Sequence, residues 1–279
     1  MVGLANTNGA NPWFTMPFDA DAEYYTNFAA YVRDHLDPKL KAYVEFSNEV
    51  WNEGFAQGKM ATERGRKAYP SVDPTTANDY YYADRVRDVM AVWSKVFAGQ
   101  QHRLVRVLAN QAVWADRADR ALAHNDTWKS VDVVAIAPYF STNPYTLPGT
   151  GAARVDATFQ RSPQIVNEAI THAINAKRVA NKYKLPLIAY EAGPSFVGYQ
   201  KEIAADMLAV DRDPRMYNLY TAFLKRWQTE VGGLIVLFSS VSTPGPGGHF
   251  GHQEYTGQPL SEAPKARAVR DFMTRLEQQ

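Results

Sequence analysis

Six short runs of apolar and β-branched residues, each followed by a longer stretch with helical spacing, constrain this chain more than any other feature. The runs cover 13–16, 42–47, 104–109, 131–137, 185–190 and 234–238. Most are nearly continuous rather than alternating, which predicts strands covered on both faces in a parallel sheet. The intervening stretches carry stripes at helical spacing. Tyr25, Phe28, Val32 and Leu36 form one, with Asp19 or Asp21 available as N-cap. Tyr82, Val86, Val89, Trp93 and Val96 form a second, predicted to span 78–97. Pro163 opens a third helix, Asp213-Pro214 a fourth, and the last begins near Ser261. A short helix is predicted over 116–124. Strand then helix, repeated about six times, gives an α/β fold with a parallel sheet.

A TIM-type (β/α) barrel and a doubly wound sheet both satisfy this alternation. The second should carry a glycine-rich phosphate turn after a strand, and no G-x-G-x-x-G or G-x-x-x-x-G-K-[ST] occurs. The one dense cluster, Gly245-Pro246-Gly247-Gly248, follows the last run, carries two prolines with Pro244, and reads as a surface loop. No linker or low-complexity stretch divides the chain, so a single domain over residues 1–279 is expected.

Charge removes several function classes. Thirty basic against 29 acidic residues leave a net charge of +1, unlike a nucleic-acid binder. No apolar run reaches membrane-spanning length. The absence of cysteine excludes disulfides and thiolate metal sites. The first residues lack the basic and apolar regions of a signal peptide, and the compartment stays open. Aromatics, at 13%, exceed what a core of this size requires, and surplus rings often stack on the apolar face of a sugar.

The two most informative segments are Glu45-Phe46-Ser47-Asn48-Glu49-Val50-Trp51 and Ile188-Ala189-Tyr190-Glu191-Ala192-Gly193. Each is an apolar strand that ends in a glutamate. In a parallel β/α barrel the C-terminal strand ends carry the chemistry. Two carboxyl groups converging there suit glycoside hydrolysis, where one protonates the leaving oxygen and the other attacks or activates water.

On these residues the chain resembles glycoside hydrolase clan A, the retaining barrel enzymes that include family 5 cellulases. The Asn48-Glu49 strand end matches the clan's acid/base strand, and Glu191 its nucleophile strand, with two runs between them as in the clan. The resemblance implies that Glu49 is the acid/base, Asn48 a donor to the sugar 2-hydroxyl, Glu191 the nucleophile, and Tyr139 the hydrogen-bond partner of the nucleophile. It also implies carboxyl groups about 5–5.5 Å apart. The chain departs from the pattern in three places. The first two βα units have no room before Trp13, so an incomplete barrel of about six units is expected. The strand-end arginine of family 5 has no counterpart. Phe238 stands in the region where the clan carries a tryptophan.

Other residues carry weaker signals. Glu45 shares strand parity with Glu49 and should point to the same side, with Arg106 as its partner. Trp51, Trp13, Phe238 and His249 are candidates for substrate binding, with Phe18 and Trp114 behind them. His249 and His252 stand three apart on a non-helical stretch, so they read as substrate-facing loop rather than metal ligands. No G-x-S-x-G nucleophile elbow appears.

The chain therefore reads as a retaining β-glycosidase or glucanase acting on a carbohydrate substrate, with no cofactor and no metal. The alternative is a non-catalytic carbohydrate-binding protein on a degenerate barrel. A metal-dependent hydrolase rests only on the histidine pair. Open sheet edges left by the shortened barrel predict a homodimer.

Overall fold

The computed structural model describes residues 1–245 and 248–278. Pro246 and Gly247 of the glycine-rich cluster lie outside the described residues. In chain order the elements are α1 (Val2–Asn8), β1 (Trp13–Met16), α2 (Ala22–His35), β2 (Ala42–Phe46), α3 (Ala56–Ala68) and α4 (Pro74–Val96). Then come β3 (Leu104–Asn110), α5 (Ala115–Ala123), β4 (Val133–Ile136), β5 (Tyr139–Phe140), α6 (Ala152–Gln160) and α7 (Ser162–Lys182). The chain ends with β6 (Leu187–Ala189), β7 (Gly193–Pro194), α8 (Lys201–Arg212), α9 (Met216–Arg226) and α10 (Pro264–Glu277). Two compact units share these elements. One comprises Met1–Ile136 with Ala176–Ile188, the other Ala137–Asn175 with Ala189–Gln279.

The first unit is built on the predicted sheet. Its five strands run in the order β1-β2-β3-β4-β6, and the first three pairings are parallel. All four residues of β4 are buried, as a strand covered on both faces requires. On one side α4 supplies Val86, Val89, Met90 and Trp93, all fully buried, and Phe14 of β1 stacks on Trp93 with ring centroids 6.2 Å apart. Each such ring contributes roughly 2–3 kcal/mol by leaving water. These pairings supply five of the six predicted strands and do not show a complete barrel.

Helix α4 starts four residues before its apolar stripe suggests. Asp73 caps it, accepting from the N–H groups of Thr75 and Thr76 at 3.0 and 3.1 Å, and Pro74 occupies the first turn. Helix α3 has no counterpart among the predicted helices. Its Gly58 and Gly65 are close-approach points. A Cβ on Gly65 would sit 2.3 Å from the carbonyl oxygen of Ala77 on α4. Gly65→Ala is therefore expected to force the two helices apart and lower stability by about 2–3 kcal/mol. A denaturant midpoint unchanged from wild type would count against that packing.

Two expectations are corrected here. Arg106 does not pair with Glu45. Residues in register across a parallel pair share a face, and Arg106 registers with Val44 while Glu45 registers with Val107. Arg106 thus faces away from Glu45 and binds Asp132 through Nε and Nη2 at 2.9 and 2.7 Å. Strand alternation also stops at Phe46, where β2 ends. Ser47 and Glu49 both take left-handed backbone, with φ of 55° and 47°, so strand alternation does not carry from Glu45 to Glu49.

The second unit packs α6, α8, α9, α10 and the first two thirds of α7 around a short parallel pair, β5 and β7. Phe140 of β5 is at its centre, with Phe223, Tyr220 and Phe196 at ring-centroid distances of 4.9, 5.3 and 6.2 Å. The predicted sixth strand lies in this unit and is not one. Residues 234–238 form a single bridge, Ala189 to Ile235, held by Ala189 N–H to Leu234 at 2.9 Å and Val236 N–H to Ala189 at 3.0 Å. Leu234, Val236 and Phe238 are exposed, so the continuous apolar run is covered on one side only.

Candidate functional site

In the first unit, the turn after β2 places Glu49. The Ser47 N–H bonds back to the carbonyl of Met16 at the end of β1, at 2.8 Å. Two non-glycine residues in left-handed backbone cost roughly 1–2 kcal/mol each, so the surrounding structure must hold them. It does so through carbonyl groups. Gln57 Nε2 donates to the Asn48 carbonyl at 2.7 Å, Asn78 Nδ2 to that of Val50 at 3.1 Å, and Arg117 Nη1 to that of Trp51 at 3.1 Å. Arg117 is itself fixed by Asp79 and Asn78 on α4, at 2.8 and 3.0 Å. Gly58 lets α3 press against the turn, since a Cβ there would meet the Asn52 carbonyl oxygen at 2.1 Å.

The Glu49 carboxyl is half-buried and receives a hydrogen bond from Asn52 Nδ2 at 2.9 Å. Burial raises its pKa, and the Asn52 bond acts in the opposite direction. A carboxyl with that bias stays protonated to higher pH than a solvated glutamate, the state a general acid requires.

Asn48 and Trp51 flank Glu49 and are half-buried. The Trp51 indole N–H is buried with no hydrogen-bond partner among the described residues. Trp13 is elsewhere. It stands at the N-terminal start of β1, stacks on Tyr43 at 5.3 Å, and donates from Nε1 to Glu45 Oε2 at 2.9 Å. Phe18 is buried against Phe46, and Trp114 is exposed.

In the second unit, Glu191 follows β6 and Tyr139 stands on β5. The Tyr139 hydroxyl donates to Glu191 Oε2 at 2.9 Å. The backbone on the C-terminal side of Glu191 is tightly set. Phe238 N–H donates to the Ala192 carbonyl at 2.9 Å. Gly193 has φ of 142°, and a Cβ on it would lie 3.1 Å from the Tyr220 hydroxyl and 3.3 Å from the Phe238 carbonyl. Phe250 joins the group, its ring edge-on to Tyr139 at 5.7 Å and to Phe238 at 5.6 Å. This unit therefore brings Glu191, Tyr139, Phe238 and Phe250 together.

His249 belongs to a different cluster, lining a cavity of about 20 Å³ with Asp211, Arg212, Glu254 and Lys265. Burial lowers its pKa, and the charge on Lys265 adds to that. His252 is held by the Tyr220 hydroxyl at 3.1 Å, and burial takes its pKa down to about 4. Among the described residues no group of three or more His, Asp or Glu is arranged to hold a metal ion. No helix among them is long and apolar enough to cross a membrane.

Asn52, Gln57, Arg117 and Phe250 were absent from the sequence-based candidates. Asn52 alone carried a signal, standing three residues beyond the glutamate in Glu49-Val50-Trp51-Asn52.

No family model matches this chain. No curated protein matches it either. Among solved structures it is similar to one described as an Ignisphaera aggregans GH53 catalytic domain, at 14% identity and a TM-score of 0.37, over 96% of this chain and 88% of that one.

Proposed function

We propose that this chain is a retaining β-glycoside hydrolase on a barrel-type β/α framework, with Glu191 as nucleophile and Glu49 as acid/base. The observation that carries the reading is the Tyr139–Glu191 hydrogen bond at 2.9 Å. Tyr139 and Glu191 are 52 residues apart, and the resemblance implied that contact from sequence. A phenol donor holds a carboxylate in one orientation, as a nucleophile that must reach an anomeric carbon requires. The raised pKa of Glu49 supports the complementary role.

The chemistry proceeds in two displacements. Glu191 attacks the anomeric carbon while Glu49 gives its proton to the departing glycosidic oxygen. The glycosyl ester is then cleaved by water, whose proton passes to Glu49. Esterification removes the Glu191 charge, and Glu49 then acts as a base. Asn48 as donor to the sugar 2-hydroxyl and Phe238, Trp51 and Phe250 as apolar contacts complete the reading.

The test is a screen over aryl β-glucosides, mannosides and xylosides and β-glucan polymers, with the first-formed anomer read by proton NMR. Hydrolysis with β-configured product is expected. An α-configured first product would overturn the retaining mechanism. Sugar binding without any turnover would favour a non-catalytic carbohydrate-binding protein.

A further inference from the structure

We infer that Asn52 is a positioning residue for Glu49: its amide holds Oε2 and leaves Oε1 as the oxygen that carries the exchangeable proton. This rests on the acid/base role proposed for Glu49. The geometry comes from the turn. Asn52 N–H donates to the Glu49 carbonyl at 2.8 Å, and Phe55 N–H donates to the Asn52 carbonyl at 3.0 Å, so the Asn52 backbone is tied on both sides. Its side-chain oxygen accepts from Gly54 N–H at 2.9 Å. A backbone N–H only donates, so the amide oxygen must face Gly54. The NH₂ group is thereby turned toward Glu49, whose Oε2 it reaches at 2.9 Å.

Among the described residues this is the only hydrogen bond made to the Glu49 carboxyl. An oxygen that accepts from an amide is a poor place for the acid proton, because that proton would meet the amide hydrogens. Oε1 therefore bears it. When the proton leaves Oε1 for the glycosidic oxygen, the new carboxylate charge is received by a bond already in place, with no reorganisation. In the second displacement the same oxygen takes a proton from water, and the carboxyl returns to its starting state.

Asn52 thus sets how readily Glu49 gives up its proton, against the burial that retains it. Both partners lie in one short turn of the first unit, and Gly58 and Arg117 hold that turn through its backbone rather than through the Asn52 side chain.

Two variants test this. Asn52→Ala removes the donor. Asn52→Asp keeps the oxygen that Gly54 needs, so the turn is retained, and puts a second carboxyl oxygen in place of the NH₂. Glu49 is followed directly by the ¹³C shift of its labelled Cδ through a pH titration, and by the alkaline limb of kcat/KM. In Asn52→Ala the Glu49 titration and that limb should both move up by about one pH unit. Asn52→Asp should move them further, because a like charge adds to the loss.

A Glu49 titration unchanged in Asn52→Ala would overturn the proposal. A titration that moves while the alkaline limb does not would leave the contact standing and overturn the acid/base assignment of Glu49. A slow substrate with a poor leaving group should lose about tenfold in kcat in Asn52→Asp, and an activated aryl glycoside much less, since it needs little protonation. Equal losses on both substrates would point to a disturbed turn and against the positioning role.

Discussion

Glu191→Gly is expected to lower kcat for aryl β-glycosides by about 10⁴-fold, the scale on which removal of a covalent nucleophile acts. Sodium azide should restore part of that rate. In the variant the side-chain volume is vacated and a small anion can attack the anomeric carbon from the same face. That attack inverts the centre, and nothing reverses it, so the product from a β-glycoside is an α-glycosyl azide. Glu49→Ala should behave differently. There the glycosyl ester still forms from an activated leaving group, azide replaces water in the second step, and the product is a β-glycosyl azide. The configuration of the azide therefore assigns the two roles independently of the size of either rate loss. A β-azide from Glu191→Gly would exchange the roles. Tyr139 gives a control on the same carboxyl, since its hydroxyl donates to Glu191 Oε2.

The strands were legible in the sequence because strands covered on both faces need apolar side chains at nearly every position. β1 falls on the predicted run, and β2 to β4 and β6 fall within or one residue beyond theirs. The run at 234–238 has the same composition, yet its neighbour supplies only one bridging residue, and composition cannot report the length of a ladder. Helix α8 has no counterpart among the predicted helices, although Ile203, Met207 and Val210 make a buried stripe at helical spacing ahead of Asp213-Pro214. That Glu49 and Glu191 follow the ends of β2 and β6 was legible at the level of residue type, since each apolar run leads straight to a glutamate. The left-handed backbone at Ser47 and Glu49 was not, because neither residue type announces it. Register was equally hidden. Arg106 faces away from Glu45 through a one-residue relation between β2 and β3 that only the pairing reveals.

The second large effect is expected on stability, in the second unit, at a pair that plays no part in the proposed reaction. Asp211 on α8 and Lys265 on α10 are both buried, 4% and 5% exposed, with Lys265 Nζ 3.2 Å from Asp211 Oδ1. Lys265 also donates to the carbonyl of His249, which ties the segment before Phe250 to α10. Asp211 Oδ2 has no partner among the described residues. Burial pushes the Asp211 carboxyl up to about 7, against the pull of Lys265, and the Glu254 charge adds to the rise. The sign follows from linkage. A folded-state pKa above the unfolded value of about 3.9 means that the folded state binds the proton more tightly. Its contribution to stability is complete below about pH 4 and is lost as pH rises through about 7. That loss is on the order of 3–4 kcal/mol across the window. Asp211→Asn has no proton to lose, so its stability relative to wild type should improve steadily between those pH values and level off above them. Lys265→Met removes the one cation bonded to Asp211 among the described residues and leaves a buried carboxyl without it, which should cost about 3–5 kcal/mol at neutral pH and less in acid. Denaturant midpoints of the three proteins measured from pH 4 to pH 8 decide the matter. A wild-type minus Asp211→Asn difference that stays flat over that range would show that Asp211 is ionised throughout, and that Lys265 holds it as a permanent ion pair.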